Sequence, residues 1–206
     1  MRIASRLLAL ACLIPLAALA QGKTVKIGVL NDQSGLYTDL GGPGSVTAAK
    51  MAAEEFGNKV AGMPIEIVTA DHQNKADIAS SITTKWIDVD GVDVVVDVPN
   101  SGAALAVAKV VADKNKVFVD SGAATVNLTG KNCTPNTVHW TYDTWALANG
   151  TGTAIVKTGG DTWFFITADY AFGHALERDV EAVVIKNGGK VLGKVRHPLK
   201  IGRAHV

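Results

Sequence analysis

The sequence predicts an α/β protein with parallel sheets covered by helices on both faces, and a crossing from one α/β lobe into a second. Three observations predict it. Short apolar runs alternate with longer Ala-rich or amphipathic runs along most of the chain. Repeated strand–helix units of this kind build parallel sheets with helices on both faces. The stretch Ser121 to Asp143 then breaks the alternation with Gly, Thr and Asn, which marks a place for the chain to leave the first lobe.

Taken in order, Lys23 to Leu30 (KTVKIGVL) reads as a buried strand. Gly41 to Lys59 carries a helix, with Ala48, Ala49, Ala52, Ala53 and Phe56 at helical spacing. Ile65 to Ala70 is a second strand, and Lys75 to Asp90 a helix with Ile78, Ile82, Trp86 and Val89 along one stripe. Val92 to Val98 is a third strand. Ser101 to Lys114 is a helix for which Ser101 is the expected N-cap. Val117 to Asp120 is a fourth strand, followed by loop with one short strand before Asp143. The second lobe opens with a helix over Trp145 to Lys157, a buried strand over Trp163 to Ala168 and a helix over Ala171 to Asn187. Gly188-Gly189 ends that helix, and a further strand starts at Lys190. Trp145 and Phe164 read as core residues.

The two ends read differently. Arg2 and Arg6, the apolar stretch Leu7 to Leu19 and the small-x-small triplet Ala18-Leu19-Ala20 make residues 1–20 a secretory signal peptide. The run is too short to cross about 30 Å of hydrocarbon comfortably. Ala9-Leu10-Ala11 before Cys12 fits a lipoprotein signal poorly. The expected organisation is a signal at 1–20, an N-terminal lobe at 21–143, a partial second lobe at 144–200, and a non-native tail at 201–206, a hexapeptide that resembles a reading frame of a sequencing adapter.

Composition excludes several functions. The chain of 206 residues is 48% hydrophobic and 19% charged, which gives it enough apolar surface to build a core. Its formal charge is +1, from 20 basic and 19 acidic residues, with no basic run, so no nucleic-acid partner is expected. Cleavage after Ala20 would leave 18 basic residues against 19 acidic ones, and Cys133 as the one cysteine. Two cysteines make neither a disulfide framework nor a four-thiolate zinc site.

In open parallel sheets, ligands bind beyond the carboxyl ends of the strands. Three of the strand ends carry Ser-Gly: Ser34-Gly35, Ser101-Gly102 and Ser121-Gly122. Each offers a hydroxyl and unobstructed backbone N–H groups, which suit a carboxylate or another small anion; each also serves simply to cap a helix or make a turn. Three at equivalent ends point to a shared crevice. No G-x-G-x-x-G follows the first strand, no G-x-x-x-x-G-K-[ST] is present, and no serine sits in a G-x-S-x-G elbow. Asp71-His72 is a pair suited to metal or acid–base work, but it reads first as a polar loop closing the second strand; His139, His174 and His197 lack metal-ligand spacing. Tyr170 and Phe172 follow a strand end and line either a pocket or the core.

The segments KIGVLNDQSGLYTDLGGPGSVTAAKMAAEEF, ADHQNKAD, KWIDVDGVDVVVDVPNS, HWTYDTWALANGTG and DTWFFITADYAFGHALERD carry a resemblance. Together they resemble the branched-chain amino-acid (leucine/isoleucine/valine-binding) type of ABC-transporter substrate-binding protein, over about Lys23 to Pro198. The resemblance implies the type I periplasmic binding fold, in which two Rossmann-like lobes close on a small solute and then dock on a permease in the inner membrane. It implies a carboxylate held by Ser101 with Gly102 and by Ala123 with Thr125. It further implies a loop from Ser34 to Leu40 over the ligand, and an aromatic wall from Tyr170 and Phe172. The acidic residue that often holds a ligand's ammonium in the family comes from a later part of the second lobe. Members of the family are longer, so an incomplete second sheet with an exposed apolar edge is expected here. The expected function is a periplasmic solute-binding component without enzymatic activity or cofactor, taking amino acids, amides or aromatic carboxylates. An exported α/β hydrolase and a ligand-sensing receptor domain stand as alternatives.

Overall fold

The computed structural model describes residues 23–200. The signal peptide expected at 1–20 and the tail expected at 201–206 lie outside them. A six-stranded sheet of order β2-β3-β1-β4-β5-β6 forms the first lobe. Its strands are β1 (Val25–Asn31), β2 (Lys59–Val60), β3 (Met63–Asp71), β4 (Val94–Asp97), β5 (Val117–Asp120) and β6 (Thr137–His139). All pairings are parallel except the β2–β3 hairpin. The chain runs outward from β1 to β3 and returns to β4 on the other side. The direction of winding therefore reverses between β1 and β4, the position at which such sheets open a crevice.

One face of this sheet is covered by α2 (Ala76–Lys85) and α3 (Ser101–Asp113). The core lies there: Leu30, Val95 and Phe118 from the strands meet Ala79, Trp86, Ala104, Val107 and Val111 from the helices. Gly28 is required for this packing, because a Cβ on it would lie 2.4 Å from the Trp86 ring. The indole therefore rests directly on the β1 backbone. The other face carries α1 (Gly42–Glu55), whose Ala49, Ala52 and Ala53 border an apolar groove of about 480 Å³ over Val25, Ile27 and Ile65.

The second lobe comprises α4 (Thr144–Leu147), α5 (Thr153–Lys157), β7 (Thr162–Ala168), α6 (Ala171–Lys186) and β8 (Lys190–His197). β7 and β8 pair in parallel, from Thr162↔Lys190 to Ala168↔His197. Helix α6 covers one face of this ribbon and ends at Gly188, whose φ of 89° closes the turn.

The elements follow the sequence pattern with local departures. The β2–β3 hairpin replaces the end of the expected first helix, which stops at Glu55; Gly57, Asn58, Ala61 and Gly62 take positive φ around it. Asn100, rather than Ser101, caps α3, its Oδ1 accepting from Gly102 N at 2.9 Å and Ala103 N at 3.1 Å. A π-turn over Trp86–Asp90 follows α2 and rotates the helix face, so Ile87 packs on the core while Val89 is exposed. A second π-turn at Ala148–Gly152 divides the expected helix 145–157. Trp145 and Phe164, expected in the core, are 62% and 58% exposed. Phe164 lies on the face of β7 that α6 does not cover, and Thr144 at the start of α4 and Ala148 just after it are buried while Trp145 faces out.

Candidate functional site

The strand ends of the first sheet place polar residues side by side. In register, Asn31 faces Asp71, Asp97 faces Asp120 and Asp120 faces His139. Beyond them lies a cavity of about 300 Å³, closed on the far side by the start of α6. The loop after β1 contributes Tyr37, Leu40 and Gly41, and α1 contributes Ser45. The ends of β4 and β5 contribute Asp97, Pro99, Ser101, Ser121, Gly122 and Ala124. Thr141 and Tyr142 follow β6, and Tyr170 and Phe172 come from the second lobe. Gly122 permits the β4 and β5 loops to meet, since a Cβ there would lie 2.8 Å from Pro99 Cα. No Lys, Arg or His lines the cavity among the described residues.

Of the residues singled out from the sequence, Leu40, Ser101, Ser121, Gly122, Tyr170 and Phe172 line this cavity. Ser34, Gly102, Ala123 and Thr125 lie outside its lining. The three Ser-Gly pairs do not offer free glycine N–H groups. Gly35 N donates to Asp32 Oδ1 at 2.8 Å, Gly102 N to Asn100 Oδ1 at 2.9 Å, and Gly122 N to Asp120 Oδ1 at 3.2 Å. In each case a side chain two or three residues upstream has taken the N–H, the local competition typical of Asp and Asn. Ala123 N is taken likewise by Asp120 Oδ1 at 2.9 Å, and Thr125 Oγ1 accepts from Asn127 N at 3.3 Å.

The serine hydroxyls differ from one another. Ser34 Oγ donates to Asp71 Oδ2 at 2.5 Å, and Ser121 Oγ to Asp97 Oδ1 at 3.3 Å. Ser101 is 1% exposed and its Oγ has no hydrogen-bond partner among the described residues. A buried hydroxyl without a hydrogen bond is costly, so a cavity-lining one is a place for a ligand to bond.

A polar hub holds the loop after β1 over the cavity. Asp32, fully buried, accepts Gly35 N on Oδ1 and Tyr37 N on Oδ2, both at 2.8 Å, and also the Asn74 side-chain amide. Burial works against ionised Asp71, but hydrogen bonds from Ser34, Gln33 and Gln73 outweigh it and hold its carboxyl below the usual range. Burial pushes the His72 ring down, which keeps it neutral and lets Nδ1 accept Asn74 N at 3.0 Å. The pair Asp71-His72 thus anchors a loop, as a structural reading of those residues has it.

Asp120 is the most perturbed carboxyl near the site. Burial pushes it up to about 7, against the pull of the Ala123 and Gly122 N–H groups, and the Asp97 charge adds to the rise. His139 Nε2 lies 3.3 Å from its Oδ2 and 2.6 Å from the Ala123 carbonyl.

Asp97 was not singled out from the sequence. It is 6% exposed, has φ of 80°, and is followed by Val98 at φ 59°. Two successive non-glycine residues in left-handed backbone cost on the order of 1–3 kcal/mol each, and a β-branched valine there is rare. The available signal was an acidic residue ending an apolar strand, directly ahead of the turn Val98-Pro99-Asn100.

A profile of the periplasmic binding protein family matches residues 24–202. No curated protein matches the chain. Among solved structures, a periplasmic binding protein from Burkholderia mallei is 58% identical with a TM-score of 0.84, over 85% of this chain and 47% of that one. A branched-chain amino acid ABC transporter periplasmic ligand-binding protein from Burkholderia xenovorans LB400 is 37% identical, with a TM-score of 0.73 over 86% of this chain and 47% of that one. A solute-binding protein of an ABC transporter from Rhodopseudomonas palustris HaA2, in complex with p-hydroxybenzoic acid, is 26% identical, with a TM-score of 0.72 over 86% and 48%. The chain thus spans about half the length of these structures.

Proposed function

Because this chain belongs to the periplasmic binding protein family, we propose that it is the solute-capturing part of an ABC importer, holding a small amino acid, amide or carboxylate between two lobes for delivery to an inner-membrane permease. The observation that supports this most is the cavity at the strand ends, lined from both lobes and containing the unpartnered Ser101 hydroxyl. Capture of this kind needs hydrogen bonds and a change in lobe separation, with no covalent step. A hydrolase reading would need a base within reach of a nucleophile, and Ser101 Oγ contacts none. The names of the similar structures favour import over a receptor role.

The route to the periplasm is the signal at 1–20. Mass spectrometry of periplasmic protein is expected to find Gln21 as the first residue; an intact Met1 or a lipid on Cys12 would reject that cleavage. Calorimetric titration with leucine, isoleucine, benzoate and 4-hydroxybenzoate tests the capture itself. Saturable binding of one of them supports the reading, and heats indistinguishable from dilution for all four would overturn it for these ligand classes.

A further inference from the structure

We propose that Asp97 is a specificity-determining residue of this cavity, accepting a hydrogen bond from an N–H or O–H group on the solute and disfavouring plain carboxylates. The inference rests on the solute-binding reading above and names the chemistry of its ligand.

Four observations carry it. Asp97 lines the cavity from its floor, at the end of β4, beside the point where the winding of the sheet reverses. Its carboxylate accepts from Asn31 Nδ2 at 3.0 Å on Oδ2 and from Ser121 Oγ at 3.3 Å on Oδ1. A carboxylate has about four acceptor positions, so these two donors leave capacity for a solute. None of the ion pairs among the described residues includes Asp97, and no cationic side chain lines the cavity. The cavity therefore carries an acidic side chain that no cationic side chain pairs with among the described residues.

The backbone reinforces this placement. The left-handed conformations of Asp97 and Val98 turn the chain sharply at the strand end, and strain of this kind gathers where a side chain has to be aimed. Glycines stand on both sides of the carboxylate. A Cβ on Gly41 would lie 3.4 Å from Oδ2, and one on Gly122 would lie 3.4 Å from Oδ1. Glycine at both positions thus lets the two loops pack close against the carboxylate without a side chain beside it.

A solute with an ammonium, amide or hydroxyl donor meets this floor with a charge-assisted hydrogen bond. A plain carboxylate meets a like charge in a small cavity where the glycine N–H groups of the Ser-Gly turns are already taken. A zwitterion or a donor-bearing acid suits both ends, with its donor on Asp97 and its acceptor at Ser101 Oγ.

The test is calorimetry on the full chain with matched pairs that differ in the donor: leucine against 4-methylpentanoate, phenylalanine against 3-phenylpropionate, and 4-aminobenzoate against benzoate. The donor-bearing member of at least one pair is expected to bind about tenfold tighter or more, the scale of a hydrogen bond to a charged group. Asp97→Asn keeps a side-chain acceptor and tolerates the left-handed backbone. It is expected to remove that preference while strengthening the plain acid. Equal or tighter binding of the plain acids by the unaltered chain overturns the inference and leaves solute capture standing. An unchanged preference in a folded Asp97→Asn chain also overturns it. Failure of every member of every pair to bind removes the solute-binding reading for these classes, and this inference with it. Should Asp97→Asn not fold, the preference measured on the unaltered chain decides alone.

Discussion

The Tyr37 and Tyr170 hydroxyls meet at 2.5 Å, joining the loop after β1 to the residue that precedes α6. This bond bridges the two lobes at the rim of the cavity. Burial raises the Tyr37 phenol, and burial together with the Tyr37 hydroxyl raises Tyr170 still more, so both rings stay protonated across the physiological range. Loss of one such bond costs about 0.5–1.5 kcal/mol. Tyr37→Phe and Tyr170→Phe are each expected to lower the closed population about two- to tenfold, and the double variant to add nothing further, because both remove the same bond. Interlobe distance measured by fluorescence transfer, together with a double-mutant cycle, checks this; additive effects would show that the hydroxyls act separately.

Ser101 and Thr125 are expected to separate ligand binding from stability. Ser101 Oγ has no hydrogen-bond partner among the described residues, so Ser101→Ala should leave the melting temperature unchanged or slightly raised. Its cost should appear in affinity, about tenfold or more for a charged ligand group. Thr125 Oγ1 instead holds the Asn127 N–H. Thr125→Val should therefore cost about 0.5–1.5 kcal/mol of stability and little affinity. Thermal unfolding and titration on both variants check the pair, and the reverse pattern would move the ligand toward Thr125.

Much of the frame was legible because periodicity records burial. β5 has the bounds read from the sequence, and β7 and α6 differ by one residue. The β2 hairpin was not legible, since Lys59-Val60 is too short to show a period. The cap of α3 went to Asn100 because both Asn100 and Ser101 are good cap residues, and only backbone conformation decides between them. The Ser-Gly pattern correctly located the strand ends, while the fate of each N–H depended on the side chain two or three residues upstream. Asp97 was hidden because an acid closing a strand looks like turn chemistry until the residues facing it are known.

The Asp120 carboxyl gives a pH dependence with a definite sign. Its folded-state pKa, near 7, lies above the ordinary value of 3.8, mainly through burial. The native state therefore holds this proton between those values while the unfolded chain releases it. Stability falls as pH rises from about 4 to 7, by at most about 4 kcal/mol for a shift of this size. Asp120→Asn keeps an acceptor for Gly122 N and Ala123 N and removes the titration. Its unfolding free energy should be flatter than that of the unaltered chain over this window, as denaturant titrations at several pH values would show. Parallel curves would indicate that burial does not hold the proton on Asp120.

The second lobe should open more readily than the first. In the first lobe, Leu30, Val95 and Phe118 are fully covered by helices. In the second, among the described residues, β7 and β8 pair only with each other, and α6 covers one face of the pair. On the other face Phe164 is 58% exposed and Ile166 75%, with Val195 opposite Ile166 in register at 50%. A two-stranded ribbon has little burial to hold it, and an apolar surface of this kind promotes association. Amide hydrogens from Thr162 to His197 should therefore exchange faster than those of β1, β4 and β5, since local opening follows the density of buried contacts. The chain should also self-associate at high concentration. Ile166→Lys puts a charge on the exposed face without removing a buried contact, so it should reduce association and leave the melting temperature nearly unchanged. Hydrogen exchange and sedimentation read the two effects independently. Uniformly strong protection across both lobes in a monomeric chain would show that the β7–β8 ribbon is stable by itself in this form.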